Sequence, residues 1–277
     1  MELYSQTTFD CSKIITQHYS TSFTLGIKTL HKKFHDPIYA IYGFVRYADE
    51  IVDTFHDHDK ARLLARFKKD TYEAIEEGIS MNPVLHSFQA VVHAYEIEHE
   101  LIEAFLTSME MDLYNQDYNH DGYEVYIYGS AEVVGLMCLR VFCEGNNEAY
   151  HRLKEPARSL GSAFQKVNFL RDIKSDYEER GRVYFPNVNF QKFSMQDKEQ
   201  IELDIQNDFE KAYQGIINLP TGARLGVYLA YMYYLKLFKK IRSCPASRIA
   251  DERIRIPDMR KYVLLLSTYF RYRINYL

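Results

Sequence analysis

The sequence predicts an all-α protein, folded as a single domain over residues 1–277. The 277 residues include only 12 Gly and 7 Pro, which together make up about 7% of the chain, against roughly 12% in average proteins. A β-sandwich or barrel would need more of these turn residues, because its chain turns about every 8–12 residues. Between these breakers, apolar residues recur at helical spacing. With 47% hydrophobic and 26% charged residues, the chain is able to bury a large core. We therefore expect a helical bundle of about ten helices.

Breakers and capping residues predict where these helices begin and end. Asp36-Pro37 and Asn82-Pro83 each place a proline at a first helical position behind a capping side chain. Gly78 and Gly181 are expected to end helices, and Pro156 is expected to start or kink one. Loops are expected at 115–122 and 183–193. The expected helices cover residues 37–54, 60–77, a segment from 83, 97–111, 123–142, 147–178, 196–216, 221–242 and 257–272.

Composition and charge narrow the classes of function. The formal net charge of −4 is not the positive charge that is typical of nucleic-acid-binding proteins, so we expect no nucleic-acid partner. The four cysteines lack the spacing of a zinc site or disulfide framework and are expected to be free thiols. The N-terminal residues do not resemble a signal peptide and no run reaches about 18 apolar residues, which predicts a cytoplasmic protein. The 24 Tyr and 17 Phe, with no Trp, could fill a core or line a large apolar pocket.

The first polar stripe lies inside the expected helix 37–54. At about 100° per residue, Tyr42, Arg46, Asp49 and Asp53 fall within about 60° of one another. An arginine and two carboxylates then share one face of a largely apolar helix. Arg46 could alternatively form a structural ion pair with Asp49, one turn away.

A second polar stripe lies in the expected helix 147–178. By the same count, Gln165, Asn168, Asp172 and Asp176 lie within about 80° of each other. Two aspartates at i, i+4 repel one another, and a bound cation relieves the repulsion. Oxygen ligands without His or Cys suit a hard cation. Since Mg²⁺ completes its shell with substrate phosphates, two such stripes facing each other predict a Mg²⁺–diphosphate clamp, with Mn²⁺ as the alternative ion.

At these residues the sequence resembles the squalene/phytoene synthase family, which are all-α head-to-head prenyltransferases. The segment Leu160–Asp176 with Gly181–Pro186 resembles the second aspartate motif of that family, an Ala-Phe-Gln-x-x-Asn-x-x-Arg-Asp-x-x-x-Asp run followed by Gly-Arg-x-Tyr-x-Pro. Asp49–Asp53 resembles the first motif. Weaker likenesses are found at His18–Phe23, at Glu132–Gly135 with Tyr126 upstream, at Arg253–Pro257 with Lys261, and at Tyr234. The resemblance extends from about residue 10 to 265 and is closest to bacterial phytoene synthases.

The resemblance implies a fold and a set of roles. The fold would be the isoprenoid-synthase helical bundle with a central apolar cavity. Metal ligands would be Asp49, Asp53, Asn168, Asp172 and Asp176, with Tyr126 also catalytic. Substrate binding would involve Ser20, Ser22, Phe23, Tyr42, Arg46, Gln165, Asn168, Arg171, Tyr234 and Arg253.

The implied reaction joins two allylic diphosphates through a cyclopropyl diphosphate. Geranylgeranyl diphosphate would give phytoene for carotenoid biosynthesis without NADPH. The alternatives are a squalene or dehydrosqualene synthase acting on farnesyl diphosphate, and a non-catalytic helical adapter of the same fold. The general base, the prenyl length and the oligomeric state stay open. The tail Tyr262–Leu277 is expected to pack on the domain, or else to make peripheral contact with a membrane.

Several residues also have a simpler structural explanation. Tyr42 and Tyr126 could be core tyrosines with satisfied hydroxyls, and His56–Asp59 is expected to be a solvated turn rather than a metal site. Glu132 and Lys166 replace a small residue and an apolar residue of the family pattern. At these two positions, the placement of the prenyl tails could differ from that of the family.

Overall fold

A computed structural model describes residues 1–114, 118–186, 188, 193–251 and 253–254. Within these residues the chain forms twelve α-helices and packs them into one bundle. Their bounds are α1 Glu2–Tyr19, α2 Thr21–Lys28, α3 His35–Thr54, α4 Lys60–Glu77, α5 Pro83–Tyr95, α6 His99–Tyr114, α7 His120–Ile127, α8 Val133–Cys143, α9 Asn147–Arg180, α10 Met195–Ile216, α11 Thr221–Arg242 and α12 Ala246–Asp251. The expected helix 257–272 lies outside the described residues.

Local signals placed most of the helix boundaries correctly. The Asn82 side chain accepts a hydrogen bond from the backbone N–H of Val84, and Pro83 occupies the first turn of α5. Gly78 and Gly181 end α4 and α9 with positive φ values of 69° and 67°, a conformation that glycine adopts without strain.

The first two helices were not predicted, and for α1 the buried face explains why. α1 packs against α3 and α5 with Thr8, Ser12 and Thr16, which are small and polar. Ser12 hydrogen-bonds Ser87 of α5 at 2.8 Å. A Cβ on Gly43 of α3 would lie only 2.8 Å from the Ser12 oxygen, so the helices approach closely. A helix whose buried stripe is Thr and Ser shows no apolar periodicity.

The expected helix 123–142 contains an irregularity that its sequence did not predict. A π-helical segment, Tyr128–Glu132, joins α7 to α8, and such segments are frequent at functional sites. A Cβ on Gly129 would lie 2.4 Å from the Ala104 carbonyl oxygen, so glycine lets this segment lie against α6. The run His120–Cys143 is long and apolar enough by composition to cross a membrane, and 56% of its most apolar window is buried inside the protein.

The long helix α9 occupies the centre of the molecule and packs on α8, α10, α11 and α12. Pro156 lies inside α9 rather than at its start. The proline ring packs against Gly215 of α10, where a Cβ would lie 2.3 Å from the Pro156 Cβ. α3 lies on the other side of the bundle, against α1, α5, α6 and α8. A deep cavity separates α3 from α9.

Candidate active site

The cavity has a volume of about 690 Å³ and is lined by one face of each surrounding helix. On α9, the lining positions follow helical spacing from Leu153 to Asp176, and on α3 they run from Ile38 to Asp53. One end is polar and the other apolar. All fifteen residues predicted for the site line this single cavity, namely Ser20, Ser22, Phe23, Tyr42, Arg46, Asp49, Asp53, Tyr126, Gln165, Asn168, Arg171, Asp172, Asp176, Tyr234 and Arg253. Their individual roles remain predictions.

On α3, Arg46 lies next to two carboxylates, Asp49 and Glu50. Arg46 forms its short ion pair with Glu50, and its distance to Asp49 Oδ2 is 3.8 Å. Its guanidinium also lies over the Tyr19 ring at 4.4 Å. Burial raises the pKa of Asp49 to about 7, against the opposing effect of Arg46 and with the support of Asp53. A cation at Asp49 would therefore offset a real electrostatic cost.

The stripe on α9 brings two arginines onto one carboxylate. Arg171 donates from Nε to Asp172 Oδ1 at 2.9 Å, and Arg253 Nε lies 2.6 Å from the same oxygen. Asp176, one turn further, is 6% exposed. Arg253 comes from the segment after α12, so this contact links the end of the described chain to the cavity. Pro257, Lys261 and the tail 262–277 lie outside the described residues.

Sequence reasoning gave no role to Asp112, Arg182 and Tyr184, which also line the polar end. Arg182 donates to Asp53 Oδ1 at 3.1 Å, and its distance to Asp112 Oδ1 is 3.4 Å. Tyr184 donates to Asp112 at 3.3 Å, and Tyr126 does so at 2.8 Å. Arg182 and Tyr184 stand in the Gly181–Pro186 motif, which could have drawn attention to them. Asp112 had no local signal, because it is one of several acidic residues of α6 and belongs to neither polar stripe nor to a motif.

The residues at the polar end fit a hard divalent cation that a diphosphate helps to bind. Asn168 Oδ1 is buried and accepts no hydrogen bond from the described residues, although a buried amide oxygen normally finds a partner. Within the described ranges, no three His, Cys, Asp or Glu side chains converge closely enough to hold a metal ion. Carboxylate and amide oxygens are the donors that suit Mg²⁺, which takes one or two protein carboxylates and completes its shell with water and phosphate. The segment His56–Asp59 directly precedes α4. The Asp59 side chain accepts a hydrogen bond from Arg62 N at 3.0 Å and so caps the start of that helix.

Aromatic rings line the cavity at three places. The Phe23 and Tyr42 rings lie 5.4 Å apart between α2 and α3, and burial raises the pKa of Tyr42 to about 12. Phe164 stacks on Tyr234 at 4.0 Å. Tyr126 belongs to a larger cluster with Tyr118, Phe169 and Tyr184. Electron-rich ring faces attract cations and therefore suit a cationic reaction.

Comparison with known proteins identifies the family. The sequence model described as squalene/phytoene synthase matches residues 16–260. The chain belongs to the squalene/phytoene synthase family. It is thus a prenyltransferase that condenses prenyl groups head to head.

Its relatives in the squalene/phytoene synthase family agree with this assignment. The chain is 28% identical over 291 residues to a 15-cis-phytoene synthase of Synechocystis sp., covering 95% of this chain and 85% of the relative. It is 27% identical over 201 residues to a 4,4'-diapophytoene synthase of Staphylococcus haemolyticus, covering 70% and 67%. The fold is similar to that of a dehydrosqualene synthase solved with a ligand, with a TM-score of 0.82 at 22% identity over 97% of this chain and 98% of that one.

Glu132 and Lys166, the two departures from the family pattern, do not line the cavity. Glu132 accepts from Arg158 Nε at 2.6 Å. Lys166 Nζ lies 2.8 Å from Asp208 and 2.5 Å from Asp204, both on α10. Both residues therefore join elements of the bundle, and neither is among the residues that line the cavity.

Proposed function

We propose that this enzyme condenses two C20 prenyl diphosphates head to head to phytoene, through a cyclopropyl diphosphate. Two molecules of geranylgeranyl diphosphate enter, and two diphosphates and two protons leave. The atoms balance without a reductant, so NADPH is not required. The product would serve carotenoid biosynthesis.

The length of the cavity carries the proposal of a C20 substrate. Its lining on α9 runs from Asn168 at the polar end to Leu153 at the apolar end, and fifteen residues of helix rise about 22 Å. An isoprene unit contributes four main-chain carbons and therefore four bonds to the length of the tail. Since the three backbone bonds of a peptide residue span about 3.5 Å, four bonds span about 5 Å. A C20 tail of about 20 Å would fill this length, whereas a C15 tail of about 15 Å would leave its end empty.

The polar end would bind the two diphosphates. Arg46, Arg171 and Arg253 supply guanidinium groups there, which suit the planar oxygen faces of diphosphate. Ser20 already caps α2 by accepting from Phe23 N at 3.2 Å, so the helix N-terminus next to Ser22 adds backbone N–H groups for an anion.

Mg²⁺, or Mn²⁺, would be held by Asp49, Asp53, Asn168, Asp172 and Asp176. The bound ion would neutralise charge on the departing diphosphate. Because Arg171 and Arg253 already hold Asp172 in the present structure, their guanidinium groups must share or leave that carboxylate when substrate binds.

The apolar walls would protect the allylic cation from water. Phe23, Tyr42 and Tyr126 place their rings at the polar half of the cavity, where the cation forms. Ring faces attract cations by roughly 0.5–2 kcal/mol each. The exclusion of water also prevents quenching to an alcohol.

Incubation of the purified chain with MgCl₂ tests this proposal directly. With geranylgeranyl diphosphate and no NADPH, we expect phytoene, identified by its mass and ultraviolet spectrum. Chelation of the metal with EDTA should abolish product formation. A squalene product that requires NADPH would refute the proposal.

A second candidate substrate is farnesyl diphosphate, as in a dehydrosqualene synthase. It is favoured by the likeness to the diapophytoene synthase of Staphylococcus haemolyticus. Competition between C15 and C20 diphosphates at equal concentration separates the two candidates. We expect kcat/KM to be at least about tenfold higher for C20, equivalent to roughly 1.4 kcal/mol of differential binding.

Ala157 offers a way to shorten the cavity selectively. It lines the cavity eleven residues from Asn168, about 16 Å along α9, beyond the reach of a C15 tail. Ala157→Phe is expected to lower kcat/KM for C20 at least about tenfold and to change the value for C15 less than threefold. Ala157→Ser is the matched control. An equal loss on both substrates would contradict the proposed depth of the tail.

We also propose that the enzyme works in the cytoplasm, with peripheral membrane contact for release of its apolar product. A polyene of this size has almost no solubility in water, because every buried CH₂ is worth about 0.8 kcal/mol. Phe23 and Tyr19 support the proposal, since both line the cavity and are 41% and 50% exposed. They place apolar surface where the cavity meets solvent.

A further inference from the structure

Asp112 is a buried carboxylate that is not among the proposed metal ligands or diphosphate-binding residues. Its side chain is 5% exposed and lines the polar end of the cavity from α6. Its two oxygens accept from Tyr126 at 2.8 Å and from Tyr184 at 3.3 Å. Arg182 lies 3.4 Å from the carboxylate and donates to the Asp112 carbonyl oxygen at 2.9 Å. A buried charge with this many partners is held in one place.

The hydrogen bond from Tyr126 to Asp112 decides what a substrate meets. The Tyr126 hydroxyl hydrogen is committed to Asp112 Oδ2, so a group in the cavity encounters the phenol oxygen as an acceptor. Burial, together with the nearby Asp112, holds the pKa of Tyr126 well above its usual value. Tyr126 is therefore a neutral phenol. It can accept a proton from a substrate only if it donates its own hydroxyl proton to Asp112.

Asp112 has the basicity to receive that proton. Burial raises the pKa of Asp112 to about 6, against the opposing effects of Arg182 and of the Tyr126 hydrogen bond. Three elements place groups near the Asp112 carboxylate. Arg182 lies in the segment after α9 and Tyr126 lies on α7. The carboxylates of Asp53 and Asp49 lie on α3. Such a carboxylate is ionised at neutral pH and yet far more basic than an ordinary aspartate, as general bases are.

We propose that Asp112 acts through Tyr126 as the acceptor of the proton lost when the cyclopropane ring closes. The substrate C–H bond breaks and an O–H bond forms on Tyr126 Oη, while the Tyr126 hydroxyl hydrogen moves to Asp112 Oδ2. The electron pair left on carbon closes the ring, so no oxidant or reductant takes part. This inference rests on the proposed condensation. Ring closure directly follows departure of diphosphate, and Asp112 lies at that end, linked through Arg182 to Asp53.

Asp112→Asn in the full chain provides the test, because asparagine keeps the shape and accepts from Tyr126 but takes up no proton. With MgCl₂ and geranylgeranyl diphosphate, kcat is expected to fall at least about 100-fold, the range of general base catalysis, with KM within threefold of wild type. Affinity for inorganic pyrophosphate plus Mg²⁺, measured by calorimetry, should be unchanged. Glu110→Gln, an exposed residue of the same helix, is the charge-matched control and should leave kcat unchanged.

Tyr126→Phe keeps the Asp112 carboxylate but removes the hydroxyl group that would pass the proton to it. It should lower kcat by a similar factor, and the double variant should be no slower than either single variant, because the two act as one unit. The cyclopropyl diphosphate and the polyene should decrease together in all three variants.

Several results would overturn the inference. These are a kcat within threefold of wild type in either single variant, additive losses in the double variant, accumulation of the cyclopropyl diphosphate, or a parallel loss of pyrophosphate affinity in Asp112→Asn. If Asp112→Asn does not fold, Tyr126→Phe decides by the same criteria. A wild-type enzyme that makes no condensed product would refute the proposed function itself, whereas an active wild type beside an active Asp112→Asn refutes the relay alone.

Discussion

Asp172→Asn is expected to lower kcat with geranylgeranyl diphosphate at least about 1000-fold, roughly 4 kcal/mol of transition-state stabilisation. Asp172 is the carboxylate on which Arg171 and Arg253 meet, and it is one of the five proposed metal ligands. Asparagine keeps the shape but removes the charge that would bind Mg²⁺ and orient both guanidinium groups. Phytoene formation under saturating substrate measures the loss.

A readout other than activity separates loss of the site from loss of the fold. Mg²⁺ with inorganic pyrophosphate is expected to raise the melting temperature of the wild type and to have little effect on Asp172→Asn. Glu179→Gln, an exposed residue of the same helix, should behave like the wild type in both measurements. Near-normal activity in Asp172→Asn would contradict the proposed clamp and reopen the adapter hypothesis for this site.

Lys166→Met is expected to destabilise the protein by about 3–5 kcal/mol, without changing the product. Burial acts to lower the pKa of Lys166, but the neighbouring Asp208 and Asp204 outweigh it and the pKa is raised. Asp208 also accepts from Ser162 at 2.7 Å. Removal of the ammonium would leave the buried Asp208 carboxylate without its cation. Urea unfolding measures the change.

Two further variants show whether the effect belongs to the buried pair. Adding Asp208→Leu to Lys166→Met removes both charges and should restore most of the stability. Lys69→Met breaks the exposed pair with Glu73, in which Lys69 is 72% exposed, and should cost less than about 1 kcal/mol. A loss of that same small size in Lys166→Met would contradict the proposed role of this ion pair between α9 and α10.

The helices that could be predicted are those whose signals are local. Gly78, Gly181 and Asn82 act within one turn of the boundary they set, so the ends of α4, α5 and α9 followed from the sequence. α1 escaped prediction because Ser12 and Thr16 form its buried face, and small polar residues show no hydrophobic period. The π-helical segment could not be predicted either. Glycine is needed at position 129 because the Ala104 carbonyl lies against it, and that contact is not visible in the local sequence.

The same division runs through the site. Spacing alone placed the polar residues on one face of α3 and one face of α9, and both faces line the cavity. Asp112 belongs to neither stripe, and it reaches the site only because α6 packs beside the segment that carries Arg182 and Tyr184. Lys166 shows the converse, since it stands inside the second motif and yet points to α10.

What the sequence by itself determined is therefore the all-helical class, the positions of most helix ends, and the two carboxylate stripes with their oxygen-only chemistry. These follow from contacts within a few residues and from the fixed 3.6-residue period of the helix. Only the tertiary structure decided which stripes face one another, how far the cavity extends towards Leu153, and which buried groups lie behind Tyr126. Those properties depend on residues far apart in the chain, and no local spacing encodes them.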